Sequence, residues 1–199
     1  MRRLNLLSRE LVTILMAIAI VATARTSLAD HYVVPSESME PTVLPRDHIV
    51  VDKLAYGLRF PLMDGFVVRL AEPARGDVVV LTSPDDGIVL LKRVVAIPGD
   101  RVTVVDGQLE LNGLHVPITR RDHQARESLG KSDHPVSLDS GGGPPLGPLL
   151  IPRDQFLVMG DNRGNSRDGR FFGLVPRASI FGRAAGVFLR QGAPVWIGL

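Results

Sequence analysis

The chain of 199 residues contains no cysteine. Structural disulfides, zinc–thiolate centres and thiol nucleophiles are therefore excluded, while the redox compartment stays open. Aromatic residues make up only 5%. Neither sign of charge dominates: 23 basic and 21 acidic side chains leave a net +2. That balance gives no basis for nucleic-acid binding. Internal repeats, heptad runs and a helix–turn–helix pattern are also missing. What the chain does have is 20 glycines, 15 prolines and 45% hydrophobic residues. This composition fits an ordered domain of short strands and many turns rather than a helical bundle, and the length suits one core.

The one long apolar run lies at the start. Leu11–Ala24 carries no charge, and extension to Leu28 meets only Arg25. A run of 18 residues reaches the lower limit for a membrane-spanning helix, and a terminal arginine can snorkel to the interface. Arg2, Arg3 and Arg9 precede it, so the positive-inside rule places the N-terminus in the cytoplasm and residues beyond 30 outside. A cleaved signal peptide is the competing reading, because Ser27-Leu28-Ala29 ends in small residues. The expected organisation is a cytoplasmic tip and anchor over residues 1–29 and an extracytoplasmic domain over 30–199.

Past residue 30 the pattern becomes strands and turns. Ile49-Val50-Val51 and Val78–Leu81 read as strands, and Arg75-Gly76-Asp77 as a turn. Phe60, Leu62, Met63 and Phe66 sit between prolines and glycine, fitting either a lipid-facing or a packed loop. Asp106-Gly107 and Asn112-Gly113 predict a meander of Arg101–Val105, Gln108–Leu111 and Leu114–Pro117. An insert over about 106–150 is expected, its part from 119 to 150 a polar, glycine-rich mobile loop. The fold class is mostly β: an antiparallel catalytic domain with a small hairpin/loop insert, behind one N-terminal transmembrane helix.

Two segments, 54 positions apart, carry the chemistry. Ser38 lies in the proline-flanked, hydroxyl-rich Pro35–Thr42. Lys92 lies in the branched run Ile88–Ile97. Strand alternation sets Ile88, Leu90, Lys92, Val94 and Ala96 on one face and Val89, Leu91, Arg93 and Val95 on the other. Both cations have apolar neighbours, but only lysine can act as a base. Lowering a lysine pKa by ~2 units from about 10.4 costs the fold roughly 2.7 kcal/mol. A third segment, Gly160–Arg170, offers hydroxyls, carboxylates and guanidiniums on a turn-rich loop that can orient a base.

Together these segments resemble the boxes of the bacterial type I signal peptidases, membrane-bound proteases that remove signal peptides from exported proteins. Ser38-Met39-Glu40-Pro41-Thr42 resembles the nucleophile box, Lys92–Asp100 the general-base box, and Gly160–Arg170 the third box. Gly173-Leu174-Val175-Pro176 with Ile180–Ala184 resembles the closing segment, and Tyr56-Gly57 and Arg75–Val79 also fit. The resemblance implies Ser38 as nucleophile and Lys92 as general base. It implies Ser36 in the oxyanion hole beside the Ser38 N–H, Ser166 as the hydroxyl orienting the lysine, and Asp168 with Arg170 as a supporting charged pair. No cofactor or metal is implied. The implied partners are preprotein signal peptides leaving the export machinery, and the lipid bilayer. Location would be the bacterial cytoplasmic membrane, single-pass, with the catalytic domain on the outer face. The implied cut follows Ala-x-Ala. Two positions depart from the family's pattern. Glu37 stands where glycine is frequent, either perturbing the local field or facing solvent. Gly164 replaces an aspartate, which would loosen the loop.

Other readings explain less. His31, His48, His115, His123 and His134 occur in turns, strand ends and the polar insert, where solvated histidines are expected instead of a triad. Ser128-Leu129-Gly130-Lys131 matches a serine-x-x-lysine pattern, but no Lys-Thr-Gly accompanies it. Asp161–Gly169 fails as a calcium loop because Arg163 and Phe172 occupy ligand positions. A self-cleaving transcriptional regulator needs a DNA-binding domain, and about 35 mostly apolar residues precede the serine. A peptidase dedicated to one substrate is the nearest alternative.

Overall fold

The computed structural model describes residues 10–14, 16–17, 29–58, 68–121 and 124–199. Among them the architecture is mostly β, and the strand pairs are antiparallel. In chain order the strands are β1 (Ala29–Val33), β2 (His48–Asp52), β3 (Gly57–Leu58), β4 (Val68–Arg69), β5 (Val78–Thr82), β6 (Val89–Ala96), β7 (Arg101–Val105), β8 (Gln108–Leu111) and β9 (Leu114–His115). They continue with β10 (Ile118–Arg121), β11 (Gln124–Leu129), β12 (Ser132–Val136), β13 (Leu146–Leu150), β14 (Gln155–Met159), β15 (Val175–Pro176), β16 (Ile180–Arg190) and β17 (Ala193–Gly198).

The main sheet has the order β1-β2-β16-β5-β6-β14-β15, with β17 paired to β16. β16 is long enough to serve several partners: Ile180–Arg183 pairs with β5, Arg183–Leu189 with β2, and its last residues with β17. β5 shows why the sheet is covered on both sides. Val78 and Val80 enter one core cluster with Met39, Ile49 and Val187, while Val79 and Leu81 enter another with Tyr56, Phe156 and Ile180. Alternating side chains of one strand thus feed two cores, and each fully buried Val or Leu contributes roughly 1.5–3 kcal/mol. A third cluster, including Val102, Val104, Leu109, Leu129 and Leu157, packs the smaller sheet β13-β7-β8-β9 against β6 and β14.

The meander appears as expected. Asp106-Gly107 and Asn112-Gly113 all take positive φ, the geometry of a two-residue hairpin turn. On β6 the strict alternation fails in one place. Val158 pairs with Val94 and Leu157 with Ala96, so Val95 is an extra, bulged residue. Val95 and Ala96 therefore enter the same core cluster. Ile88 precedes the strand and is exposed.

The segment from 119 to 150 corrects the mobile-loop expectation. β10, β11 and β12 form their own antiparallel sheet, and β13 joins β7. Even the glycine run is fixed. A Cβ on Gly142 would collide with the backbone of Asp106 and Gly107, and the Gly142 carbonyl accepts from Arg170 Nη1. Glycine abundance here reflects close backbone approach, not looseness. Gly164 is likewise not a loosening. A side chain there would run into the Ser140 and Gly141 carbonyls, so glycine lets this strap seat on the third box.

Among the described residues no helix is long and apolar enough to cross a membrane. Most of the apolar run Leu11–Leu28, the loop residues Phe60, Leu62, Met63 and Phe66, and His123 lie outside the described residues.

Candidate active site

Pro35 ends the extended chain after β1, and residues 37–39 then form one 3-10 turn. Met39, 1% exposed, anchors this turn in the core beside Val34 and Val43. Ser38 is thereby held against β6, an interior strand of the main sheet. Lys92 rises from β6 and is 3% exposed. Its Nζ lies 2.7 Å from Ser38 Oγ, to which it donates, and donates also to the Leu91 carbonyl at 3.1 Å. Burial lowers the Lys92 pKa to about 8, against the pull of the Asp168 and Asp161 carboxylates, which favour the charged form. Ser36 Oγ is 3.2 Å from Ser38 Oγ, at the solvent-exposed mouth.

The third box closes the site from behind. Gly160 is required by proximity, since a Cβ there would strike Ser166 Oγ and the Ser38 carbonyl. Asn162 stitches the two turns together: its N–H donates to the Ser38 carbonyl at 3.2 Å and its Nδ2 to the Glu37 carbonyl at 3.3 Å. Asp168 accepts from the Gly160 N–H at 2.9 Å and, with both oxygens, from Arg170 Nε and Nη2 at 2.8 Å each. It also caps the one-turn helix Gly169–Phe172. Asp168 and Arg170 form the expected pair, fully buried. Ser166 is brought to the site and buried, yet its Oγ has no hydrogen-bond partner among the described residues. Its hydroxyl is therefore next to the nucleophile turn without the expected bond to Lys92.

Several residues of this assembly escape sequence reasoning. Arg93, on the other face of β6, is fully buried and forms a bidentate pair with Asp161 at 2.8 and 2.7 Å. Thr42 Oγ1 donates to the same carboxylate at 2.5 Å. Burial raises the Asp161 pKa, but the Arg93 guanidinium outweighs it and holds the group ionised. Behind this pair, Arg163 donates to both oxygens of Glu127 at 2.9 and 2.6 Å and to the Gly107 carbonyl at 2.6 Å. Burial again works against the ionised form of Glu127, yet Arg163 and His134 bring its pKa to about 2. His134 corrects the expectation of solvated histidines. It is buried, with Nε2 3.4 Å from Glu127 Oε2 and 4.0 Å from Asp161 Oδ1. An arginine inside the apolar run of β6 signals a buried acid partner. No local signal marks Glu127, because its burial depends on how the insert folds back.

Glu37 is exposed, as one of its two expected readings had it. Its carboxylate accepts from Asn165 Nδ2 at 3.0 Å on the exposed rim. An apolar cleft of about 340 Å³ opens beside the pair, lined by Val33, Ser36, Ser38, Met39, Ile49, Leu90 and Lys92 among others.

A hydroxyl nucleophile within hydrogen-bond reach of an amine of lowered pKa, at the end of an apolar cleft, is the equipment of a serine hydrolase. The family model described as signal peptidase, peptidase S26, matches residues 7–189. Signal peptidase I of Pseudomonas fluorescens is 34% identical over 88% of this chain and 70% of its own length. That of Pseudomonas aeruginosa is 33% identical over the same shares. A probable signal peptidase I-2 of Synechocystis is 32% identical over 86% of this chain and 68% of that one. Among solved structures, a signal peptidase I from Enterococcus faecalis V583 aligns with 57% of this chain and 97% of that chain at 27% identity and a TM-score of 0.40. The chain belongs to the signal peptidase family, peptidase S26, and is a hydrolase of that kind.

Proposed function

We propose that this protein is a membrane-tethered serine endopeptidase that removes N-terminal signal peptides from exported preproteins, cutting after Ala-x-Ala. The observation that carries the reading is the 2.7 Å approach of the buried Lys92 amine to Ser38 Oγ. Neutral Lys92 takes the Ser38 proton as Oγ attacks the scissile carbonyl. The developing oxyanion meets the Ser36 hydroxyl and the Ser38 N–H, the first N–H groups of a helical turn having no partner within it. Lys92, now an ammonium, protonates the leaving amine as the C–N bond breaks. Water then gives its proton to Lys92 while its oxygen attacks the ester, and Ser38 recovers its proton on release of the acid. Ser166 remains the candidate for steadying the lysine once substrate closes the site, and Asp168 with Arg170 fixes the loop.

The aliphatic walls of the apolar cleft, among them Val33, Ile49 and Leu90, support a preference for apolar residues before the cut. Residues 1–29 form the cytoplasmic tip and anchor, and residues 30–199 the catalytic domain on the outer face of the bacterial membrane. The apolar run Leu11–Leu28 behind three arginines supports this orientation. The test is cleavage of a preprotein ending its signal in Ala-x-Ala, in detergent or lipid, with the product sequenced. Ser38→Ala should abolish the product. Full activity in that variant removes the mechanism.

A further inference from the structure

A second cleft begins where the apolar one stops. The apolar cleft takes Pro35, Ser36, Ser38 and Met39 from the nucleophile segment, and the second takes the next two residues, Glu40 and Pro41. It is larger, about 650 Å³, and its other walls come from the insert: Arg120 on β10, Gln124 and Ala125 on β11, Val136 at the end of β12, and Ser137, Leu138 and Asp139 just after it. The two clefts share no lining residue. Their chemistry also differs. The first is walled mostly by aliphatic side chains, the second by two carboxylates, Glu40 and Asp139, and one guanidinium, Arg120.

The far wall is fixed to the catalytic centre. Ser137 pairs in parallel with Asn162: the Ser137 N–H donates to the Asp161 carbonyl and the Arg163 N–H to the Ser137 carbonyl, both at 2.9 Å. Asn162 in turn donates to the Ser38 carbonyl. Thr42, one residue beyond Pro41, donates to Asp161 and, at 3.4 Å, to the Pro135 carbonyl. Both walls are therefore tied to the loop that seats the nucleophile. Among the described residues neither Glu40 nor Arg120 has an ion-pair partner, so their charges stand open to whatever enters.

We propose that this polar cleft is the binding subsite for the first residues of the polypeptide released by the cut. The inference rests on the reading of Ser38 and Lys92 as the cleaving pair. If the residues before the cut lie in the apolar cleft, the chain after the cut must leave past the other side of Ser38, where Glu40 stands. Glu40 and Asp139 favour a basic residue shortly after the cut, and the single positive charge of Arg120 opposes it. The insert is then part of the specificity apparatus.

The experiment compares kcat/KM for two peptides with the same Ala-x-Ala cut site, carrying lysine or glutamate at the second residue after the cut. Wild-type enzyme is expected to favour lysine. Glu40→Lys should lower the lysine-to-glutamate ratio about three- to tenfold, the size of reversing one charge at roughly 8 Å in a wet cleft once physiological salt screens it. Asp139→Lys, on the opposite wall, should move it the same way, and Arg120→Glu the other way. Moving the charge to the apolar segment before the cut should erase the effect of all three variants. Ratios unchanged in all three variants, with cleavage intact, overturn the subsite. Failure of wild-type enzyme to cut either peptide overturns the proposed function instead. The three positions lie on separate elements, so misfolding of one variant, checked by circular dichroism, leaves two deciding measurements.

Discussion

Between pH 6 and 9 Lys92 should pass from ammonium to amine, and the rate of cleavage should follow it. Burial sets its pKa at about 8. The neutral fraction is then about 1% at pH 6, about 10% at pH 7 and about 90% at pH 9. An ordinary lysine would be neutral only about 0.03% of the time at pH 7, so burial supplies ~300-fold more active base at that pH. The expected profile of kcat/KM rises tenfold per pH unit up to about 7.5 and levels above about 8.5. A fluorogenic peptide containing Ala-x-Ala, assayed in detergent with constant ionic strength, measures it. Lys92→Arg keeps the charge and cannot serve as a base, so it should be inactive throughout. The same group leaves a mark on stability. Its folded pKa is depressed, so below about pH 8 the buried ammonium destabilises the fold by on the order of 3 kcal/mol. This penalty disappears as the pH rises from about 8 towards 10.5, where the unfolded chain still binds the proton. Lys92→Met should therefore unfold at higher denaturant than wild type at pH 7, with the gap closing above pH 10. A rate profile breaking near pH 6.5, or one still climbing tenfold per unit at pH 10, refutes the assignment of Lys92 as a buried base.

Other consequences follow from the charges behind the site. Glu127→Gln leaves Arg163 buried without its counterion, so thermal unfolding at pH 7 should show a loss of about 3–5 kcal/mol, or ~10 °C in Tm. Because the Glu127 pKa is depressed to about 2, its contribution is present above about pH 4.5 and is lost as the pH falls towards 2, so variant and wild type should converge in acid. Glu37→Gln keeps an acceptor for Asn165 on an exposed rim, and should change stability by less than about 1 kcal/mol in urea unfolding. N-terminal sequencing of the membrane-extracted protein decides the fate of residues 11–28. Retention of the apolar run is expected, whereas a start at Asp30 means a cleaved signal.

Much of this arrangement is written locally. The turns at Asp106-Gly107 and Asn112-Gly113 need only the positive φ that those residues tolerate. The strands β5, β6, β7 and β8 follow from period-two or continuous runs of branched residues, and the boxes around Ser38, Lys92 and Gly160 keep recognisable spacing. Their local patterns singled out Ser38 and Lys92, which the fold brings to 2.7 Å, along with the ion pair of Asp168 and Arg170. Position along the chain does not report distance in space, however. Arg93 and Asp161 meet because β6 and β14 are neighbours in the main sheet, and Arg163 meets Glu127 because the insert's sheet folds over the third box, while a carboxylate in a polar stretch gives no sign that it will be buried. The polar, glycine-rich stretch from 119 to 150 reads as a mobile loop from its composition. It is ordered instead by backbone pairing, by Leu129 and Val136, and by the arginines it covers.

The sequence by itself determined the β architecture, the family and the candidate nucleophile and base, because those rest on backbone propensity and short-range motif chemistry. The absence of cysteine excluded thiol chemistry, and the near balance of charge gave no basis for nucleic-acid binding. Only the tertiary structure decided that Lys92 is buried against Ser38 and its pKa lowered, since desolvation is a property of surrounding atoms from distant segments. It alone decided that Glu37 turns to Asn165, that Gly164 is a contact and not a hinge, and that the insert stands as a polar wall beside Ser38.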